Sequence, residues 1–220
     1  MFQYVLFDLD GTLTDPKTGI TSCVQYALAD AGIEEPDLDK LEPFIGPPLT
    51  DSFREFYGFD DEQIKRAIDK YHERFDEKGI FENEIIEGIP ELLKALKDAG
   101  RRVSIASSKP RPLVIRILEH FEIAQYFDTV VGSEFDGRFA TKEAVVEEAL
   151  KQLVPSVYEK EDVAMVGDRK FDIQGARAHG LTGIGVSFGY AGEHELEDAG
   201  ADYIAVSYTH LRAHETDSYL

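Results

Sequence analysis

Two aspartates and a glycine follow an apolar segment near the start of the chain. The segment Tyr4–Phe7 is typical of a short buried strand, and Asp8, Leu9, Asp10 and Gly11 come directly after it. Because side chains alternate along a strand, Asp8 and Asp10 would point the same way if the strand continued. Gly11 allows a turn whose N–H groups can face an anion. Mg²⁺ commonly binds one or two carboxylates and a substrate phosphate, so this stretch suggests a phosphate ester held on a metal, with a carboxylate placed to attack it.

An ordinary strand end explains the same residues without any chemistry. Aspartate and glycine are frequent in turns, and a single Asp-x-Asp-Gly stretch does not distinguish a turn from a reactive site. The decision therefore depends on the polar residues that follow the other strands of the chain.

Strands and helices alternate through most of the sequence, which predicts a parallel sheet with right-handed crossovers. In such sheets ligands bind outside the carboxyl ends of the strands. Polar clusters follow three of the predicted strands, namely Asp8–Gly11, Ser107–Lys109 and Gly167–Asp172. The fold class we predict is α/β, a doubly wound parallel sheet with a Rossmann-like core.

One long segment departs from this alternation. Residues 15–86 show helical patterns and no convincing strand, with one helix expected from Ile20 to Asp30, another capped by Thr50 or Asp51, and a third starting at Asp60 or Asp61. We therefore predict a core of residues 1–14 and 87–206 and a small helical domain, 15–86, inserted after the first strand. Residues 207–220 have no clear periodicity, and we expect a non-native or disordered tail there.

The composition restricts the partners. The chain has 220 residues and a formal net charge of −20, which argues against nucleic acid and anionic membranes as main partners. No apolar run has membrane-spanning length, and the first residues enter a strand directly, so we expect a cytoplasmic protein without a secretory signal. The single cysteine, Cys23, excludes an internal disulfide and is expected to be a buried helix residue.

The motifs taken together resemble those of the haloacid dehalogenase superfamily. They occur in the order that the family shows, and the helical insertion resembles the α-helical cap of its subfamily I. The resemblance covers residues 1 to about 206 and is greatest to phosphoglycolate phosphatase-like and 5′-nucleotidase-like hydrolases. The residues that carry it are Asp8–Thr12, Ser107, Lys142, Gly167–Asp168 and Asp172, with Phe44–Leu49 as further support.

The resemblance implies roles for three catalytic residues. Asp8 would be the nucleophile that forms an aspartyl-phosphate. Asp10 would be the general acid and then the general base, and its backbone carbonyl would bind the metal. Lys142 would neutralise charge on Asp8 and on the transferred phosphoryl group, although an exposed lysine at a helix start explains this residue equally simply.

The resemblance also implies two binding sets. The phosphate would contact Gly11, Thr12, Ser107, Ser108 and Lys142, although Ser107 could equally cap the following helix. Ser108 departs from the asparagine frequent in the family, which leaves its side-chain contact in doubt. Mg²⁺ is the implied cofactor, and its ligands would be Asp8, Asp10, Asp168 and Asp172, with Asp172 bound directly or through water. Asp168 could instead cap a helix.

The predicted function is Mg²⁺-dependent hydrolysis of a small phosphorylated metabolite, of the phosphoglycolate or nucleoside 5′-monophosphate type, by a monomer or homodimer. Asp10 favours a phosphatase or phosphomutase over a dehalogenase, because release of halide needs no proton donor. A sugar phosphomutase and an inactive phosphate-binding module remain the alternatives. Arg54 and Lys109 are further candidates to contact a distal anionic group.

Overall fold

The chain forms two compact units in the computed structural model, which describes residues 2–154 and 157–208. One unit contains the chain up to Thr14 and from Ile85 onward, and the other contains Asp15–Glu84. Residues 209–220, most of the predicted tail, lie outside the described residues.

Six parallel strands form the sheet of the first unit, as the alternating pattern predicted. The described residues contain eight strands, of which all but β2 and β3 belong to this sheet: β1 (Tyr4–Phe7), β2 (Thr14–Asp15), β3 (Glu84–Ile85), β4 (Arg102–Pro110), β5 (Thr129–Ser133), β6 (Val163–Gly167), β7 (Thr182–Val186) and β8 (Tyr203–Ala205). The order in the large sheet is β5-β4-β1-β6-β7-β8, and β2 pairs with β3 in a separate two-stranded sheet. The predicted α/β fold class is confirmed.

Eight α-helices accompany the strands in the described residues. They are α1 (Lys17–Asp30), α2 (Leu49–Tyr57), α3 (Asp61–Phe75), α4 (Ile89–Asp98), α5 (Arg111–His120), α6 (Lys142–Leu153), α7 (Lys170–Ala178) and α8 (Glu195–Ala199). No helix among the described residues has both the length and the apolar character needed to cross a bilayer.

The core of the first unit explains why its helices lie where they do. Buried residues of α6 recur at helical spacing and pack against side chains from the central strands β1 and β6. The cluster includes Leu6, Val145, Val146, Ala149, Leu150 and Met165. This packing fixes the start of α6, and therefore Lys142, beside the carboxyl ends of the strands.

In the second unit α1 packs against the chain that follows α3. A Cβ atom on Gly19 would lie 2.1 Å from the carbonyl oxygen of Gly79, so this approach requires glycine. Asp60 caps α3 by accepting a hydrogen bond from the N–H of Gln63, as predicted. Cys23 is buried in α1, as predicted, and burial raises the pKa of its thiol.

Two local predictions were wrong. Thr50 and Asp51 lie inside α2, and its N-cap position is Pro48, because the fixed φ of proline already orients the entry to the helix. Strand β4 extends to Pro110 and so contains Ser107–Lys109, which were predicted to follow the strand, and its register against β5 is irregular between Ser107 and Pro110. The polar residues after position 106 therefore stand on extended backbone.

Candidate active site

The predicted motif residues meet at the carboxyl ends of three neighbouring strands in the first unit. Asp8 follows β1, Ser107 lies near the end of β4, and Asp168 follows β6. Lys142 is the first residue of α6, and Asp172 lies in the first turn of α7. The fold therefore gathers residues that are up to 164 positions apart in the sequence.

Three carboxylates form a compact acidic cluster. Asp8, Asp168 and Asp172 each contribute an oxygen, and these oxygens all lie within 4.8 Å of one another. Asp168 is 1% exposed and Asp172 is fully buried. Three negative charges this close, two of them buried, are costly unless cations balance them. Oxygen atoms of carboxylates are the ligands that Mg²⁺ prefers.

Lys142 supplies one of the balancing charges. Its Nζ lies 2.9 Å from Asp8 Oδ1 and 2.8 Å from Asp172 Oδ1, and it donates to the carbonyl oxygen of Ala106 at 3.0 Å. Burial lowers the pKa of Lys142, but the carboxylates of Asp172 and Asp8 outweigh burial and raise it above its ordinary value. Lys142 is thus a buried cation at the cluster, which rules out an exposed lysine at the helix start.

Asp168 and Asp172 are held by backbone donors. The N–H of Tyr190 donates to Asp168 Oδ2 at 2.7 Å, and the N–H of Arg169 donates to Asp172 Oδ2 at 3.0 Å. Burial, with the neighbouring charges of Asp172 and Asp8, raises the pKa of Asp168 to about 8. Burial likewise raises the pKa of Asp172, to about 6, although Lys142 opposes the change. Burial is the main cause of both shifts, because it disfavours the charged form of a carboxyl group.

Asp10 lies in a separate buried ion pair. Its Oδ2 contacts the Nζ of Lys109, and the two side chains are only 15% and 9% exposed. The other oxygen of Asp10, Oδ1, is buried and accepts no hydrogen bond from the described residues. Lys109 was predicted to contact a distal anionic group of the substrate, whereas here its ammonium group contacts Asp10.

Glycines allow the carboxylates to approach the backbone. A Cβ atom on Gly11, whose φ is +78°, would lie 2.2 Å from Asp168 Oδ2. A Cβ on Gly167 would lie 2.1 Å from Asp172 Cγ, and one on Gly189 would lie 2.3 Å from Asp168 Cβ. Any side chain at these three positions would displace a carboxylate of the cluster.

The residues predicted to contact the phosphate differ from one another in their hydrogen-bond partners. The N–H of Gly11 donates to the carbonyl of Thr14 at 2.7 Å, and that of Thr12 to the carbonyl of Leu9 at 3.2 Å. The sequence predicted that N–H groups of this turn face an anion. These two N–H groups instead donate to carbonyl oxygens within the turn. The hydroxyl of Thr12 instead donates to Asp168 Oδ1 at 3.4 Å.

The two serines at the end of β4 differ from each other. Ser107 is 2% exposed, and its Oγ accepts a hydrogen bond from the N–H of Lys109, so it does not cap α5. Ser108 is exposed, and its carbonyl accepts a hydrogen bond from Ser133 Oγ. The phosphate contacts of both serines stay predictions.

One segment of the site was not found from the sequence. The turn Gly189–Gly192 after β7 donates the N–H that Asp168 accepts, and Glu195 contacts Arg169 through Nε at 2.9 Å. Two glycines within four residues after a strand were the available signal. The hydrogen bond to Asp168 comes from a backbone N–H group, so no motif of side chains marks it.

With this geometry described, the comparisons with known proteins identify the family. Residues 5–186 match the family model of the haloacid dehalogenase-like hydrolases, and the chain belongs to that family. A 5′-nucleotidase from Pseudomonas aeruginosa is 45% identical over 196 residues, which cover 89% of this chain and 87% of that protein. The crystal structure of a predicted phosphatase from Clostridium acetobutylicum superposes with a TM-score of 0.91 at 45% identity and covers 99% of both chains.

A differently named relative covers a similar share of the sequence. The tyrosine-protein kinase PtkA from Mycobacterium tuberculosis is 40% identical over 188 residues, which are 86% of this chain and 63% of PtkA. The predicted resemblance to the haloacid dehalogenase superfamily, and to its 5′-nucleotidase-like members, is confirmed. The chain is a phosphoric monoester hydrolase of this family.

Proposed function

We propose that this protein hydrolyses small phosphomonoesters with Asp8 as the nucleophile and Mg²⁺ as the cofactor. The observation that carries the proposal is the convergence of Asp8, Asp168 and Asp172 within 4.8 Å, with Lys142 bridging Asp8 and Asp172. An activated carboxylate beside a cation site is the arrangement that phosphoryl transfer through a covalent intermediate requires.

The donor set fits a divalent cation. When ionised, the three carboxylates of the cluster share one ammonium group, that of Lys142, so they carry an excess of two negative charges, which one divalent cation would balance. Apart from their ion pairs with Lys142, the buried Oδ1 atoms of Asp8 and Asp172 accept no hydrogen bond from the described residues. Asp8, Asp168, Asp172 and the carbonyl of Asp10 would hold Mg²⁺, which would neutralise charge on the phosphoryl oxygens.

In the first step an oxygen of Asp8 attacks phosphorus and the ester P–O bond breaks. The leaving oxygen takes its proton from the carboxyl group of Asp10, so an alcohol departs and Asp8 carries the phosphoryl group. Lys142 stays within contact of the Asp8 carboxylate and balances the charge of the transferred group. Lys109 fixes where the Asp10 carboxylate lies, two residues beyond the nucleophile.

In the second step water attacks phosphorus. Asp10, now a carboxylate, accepts a proton from that water, the bond between phosphorus and the Asp8 oxygen breaks, and inorganic phosphate leaves. Asp8 is regenerated as a carboxylate and Asp10 as an acid, so the cycle consumes one water and one ester. The same aspartate serves as acid and then as base.

The substrates we would test first are nucleoside 5′-monophosphates and phosphoglycolate. The first class is supported by the relative named 5′-nucleotidase. The second rests on the sequence motifs, together with the proposal that Asp15–Glu84 is a cap that selects small substrates. Arg54, which pairs with Asp61 at 2.7 Å in that unit, remains a proposed contact for a distal anionic group.

The test is a panel of phosphorylated metabolites assayed for free phosphate with Mg²⁺ and with a chelator. We expect Mg²⁺-dependent release by the native protein and a loss of about 10⁴-fold or more in Asp8→Asn, since that variant lacks the nucleophile. Asp198→Asn is the matched control, because it makes the same change on an exposed position of α8.

Other products would point to other reactions. Isomerised sugar phosphate without free phosphate would identify a phosphomutase, and phosphotyrosine formed from a nucleotide would identify the activity for which PtkA is named. Full turnover in Asp8→Asn would exclude the proposed nucleophile. Absence of any turnover would favour a phosphate-binding module.

A further inference from the structure

The carboxylate of Glu195 joins two segments that hold the acidic cluster. Its Oε1 accepts hydrogen bonds from Arg169 Nε at 2.9 Å and from the N–H of Lys170 at 2.8 Å, and its Oε2 accepts from the N–H of Gly192 at 3.1 Å. Lys170 is the first residue of α7, whereas Gly192 belongs to the turn after β7. One side chain thus ties the start of α7 to that turn.

Both tied segments donate a backbone hydrogen bond to a carboxylate of the cluster. The N–H of Arg169 donates to Asp172 at 3.0 Å, and the N–H of Tyr190, two residues before Gly192, donates to Asp168 at 2.7 Å. The same turn contains Gly189, on which a Cβ atom would lie 2.3 Å from Asp168 Cβ. A shift of the turn relative to α7 would therefore move Asp168 relative to Asp172.

Glu195 is itself fixed by its short helix. Leu196, the next residue, is 3% exposed and packs over Gly185 of β7, where a Cβ atom would lie 2.9 Å from Leu196 Cδ1. At the other end of α8, Arg177 of α7 donates to the carbonyl oxygen of Ala199 at 3.1 Å. The Glu195 side chain is 15% exposed, so it is largely shielded from water.

We propose that Glu195 is a positioning residue that sets the affinity of the site for its divalent cation. It acts by holding the Gly189–Gly192 turn and the start of α7 in the register that brings Asp168 and Asp172 together. Groups that orient metal-binding carboxylates without touching the metal change affinity about 10–100-fold when they are removed. This inference rests on the proposed function, because that function requires a divalent cation at these aspartates.

The experiment measures Mg²⁺ binding directly, by calorimetric titration of the metal-free protein without substrate. Glu195→Gln keeps the shape of the side chain but removes its charge, and we expect the dissociation constant for Mg²⁺ to rise about tenfold or more. Glu197→Gln is the matched control, since Glu197 is exposed on the same helix. The Mg²⁺ affinity of this variant should equal that of the native protein.

A second variant separates positioning from stability. Arg177→Ala removes the other tether of α8, so it should lower the melting temperature while leaving Mg²⁺ affinity unchanged. Equal Mg²⁺ affinity in Glu195→Gln and Glu197→Gln would overturn the inference and leave the proposed function standing. Loss of affinity in Arg177→Ala as large as in Glu195→Gln would also overturn it, because the effect would then follow from stability alone. A native protein that neither binds Mg²⁺ nor hydrolyses esters would overturn both proposals.

Discussion

The two compact units differ in how deeply their charged groups are buried. In the first unit the acidic cluster and Lys142 are buried, and each charged group contacts several partners. In the second unit most of the ion pairs have a largely exposed partner, although Arg74 and Glu82 form a pair whose side chains are only 19% and 21% exposed. Lys17, which pairs with Asp39 and Glu42, has a side chain that is 37% exposed, and Arg66, which pairs with Asp30, is 70% exposed.

This difference has an energetic consequence. Exposed ion pairs gain little from Coulomb attraction because water and salt screen them. A buried charge, by contrast, cannot return to water when its partner is removed, so breaking a buried pair is costly. We therefore expect the first unit to respond strongly to single substitutions in its site, and the second unit to respond weakly at its surface pairs.

The largest effect is expected from Lys142→Met. The substitution leaves Asp8 and Asp172 close together without their shared cation, so the free energy of unfolding should fall by about 3–5 kcal/mol. Phosphate release should fall about 10²–10³-fold, because the transferred group loses a positioned donor. Urea unfolding followed by circular dichroism, together with a phosphate assay, measures both quantities.

Lys151→Met provides the comparison for Lys142→Met on the same helix. Lys151 pairs with Glu147 at 2.8 Å with a side chain that is 60% exposed, so its removal should change stability and turnover little. Similar losses in the two variants would contradict the distinction between buried and exposed charge.

An intermediate effect is expected from Gly189→Ala. The added methyl group would lie 2.3 Å from Asp168 Cβ and 2.5 Å from the carbonyl oxygen of Gly11, so one of them must shift. Overpacking of this kind costs about 1–3 kcal/mol, and displacement of Asp168 should also weaken Mg²⁺ binding. Chemical denaturation and calorimetry measure the two effects.

Gly192→Ala tests whether the effect depends on position within the same turn. The nearest atom to its added methyl group would be Glu195 Oε2 at 3.6 Å, which is an ordinary contact. Normal Mg²⁺ affinity in Gly189→Ala, or equal losses in both variants, would show that close packing around Asp168 is not what positions it.

The smallest effect is expected in the second unit, from Asp60→Ala. This change removes the side-chain acceptor that caps α3 and should cost about 1 kcal/mol, without altering Mg²⁺ affinity. Asp69→Ala, on an exposed position in the middle of α3, should cost less because no cap is lost. A fall in Mg²⁺ affinity in Asp60→Ala would mean that the cap of α3 influences the metal site.

The sequence determined the alternation of elements and the residues of the acidic cluster. Local patterns are sufficient for α6, because its apolar spacing and its capping residue Thr141 are both local signals. Asp8 and Asp168 each follow a strand, and the ends of neighbouring parallel strands meet at one edge of a sheet. The resemblance to the haloacid dehalogenase superfamily then implied that these two residues and Asp172 bind the metal.

The tertiary structure alone decided the partners of those residues. The pairing of Lys109 with Asp10, the hydrogen bond from Tyr190 to Asp168 and the contact of Glu195 with Arg169 join positions that are 22 to 99 residues apart. Such contacts depend on the register between elements and on backbone groups, which every residue carries, so no residue type marks them. The physical reason is that the formation of strands and helices depends mainly on residues that are neighbours in the sequence. The environment of a buried charge depends instead on the groups that tertiary packing places next to it.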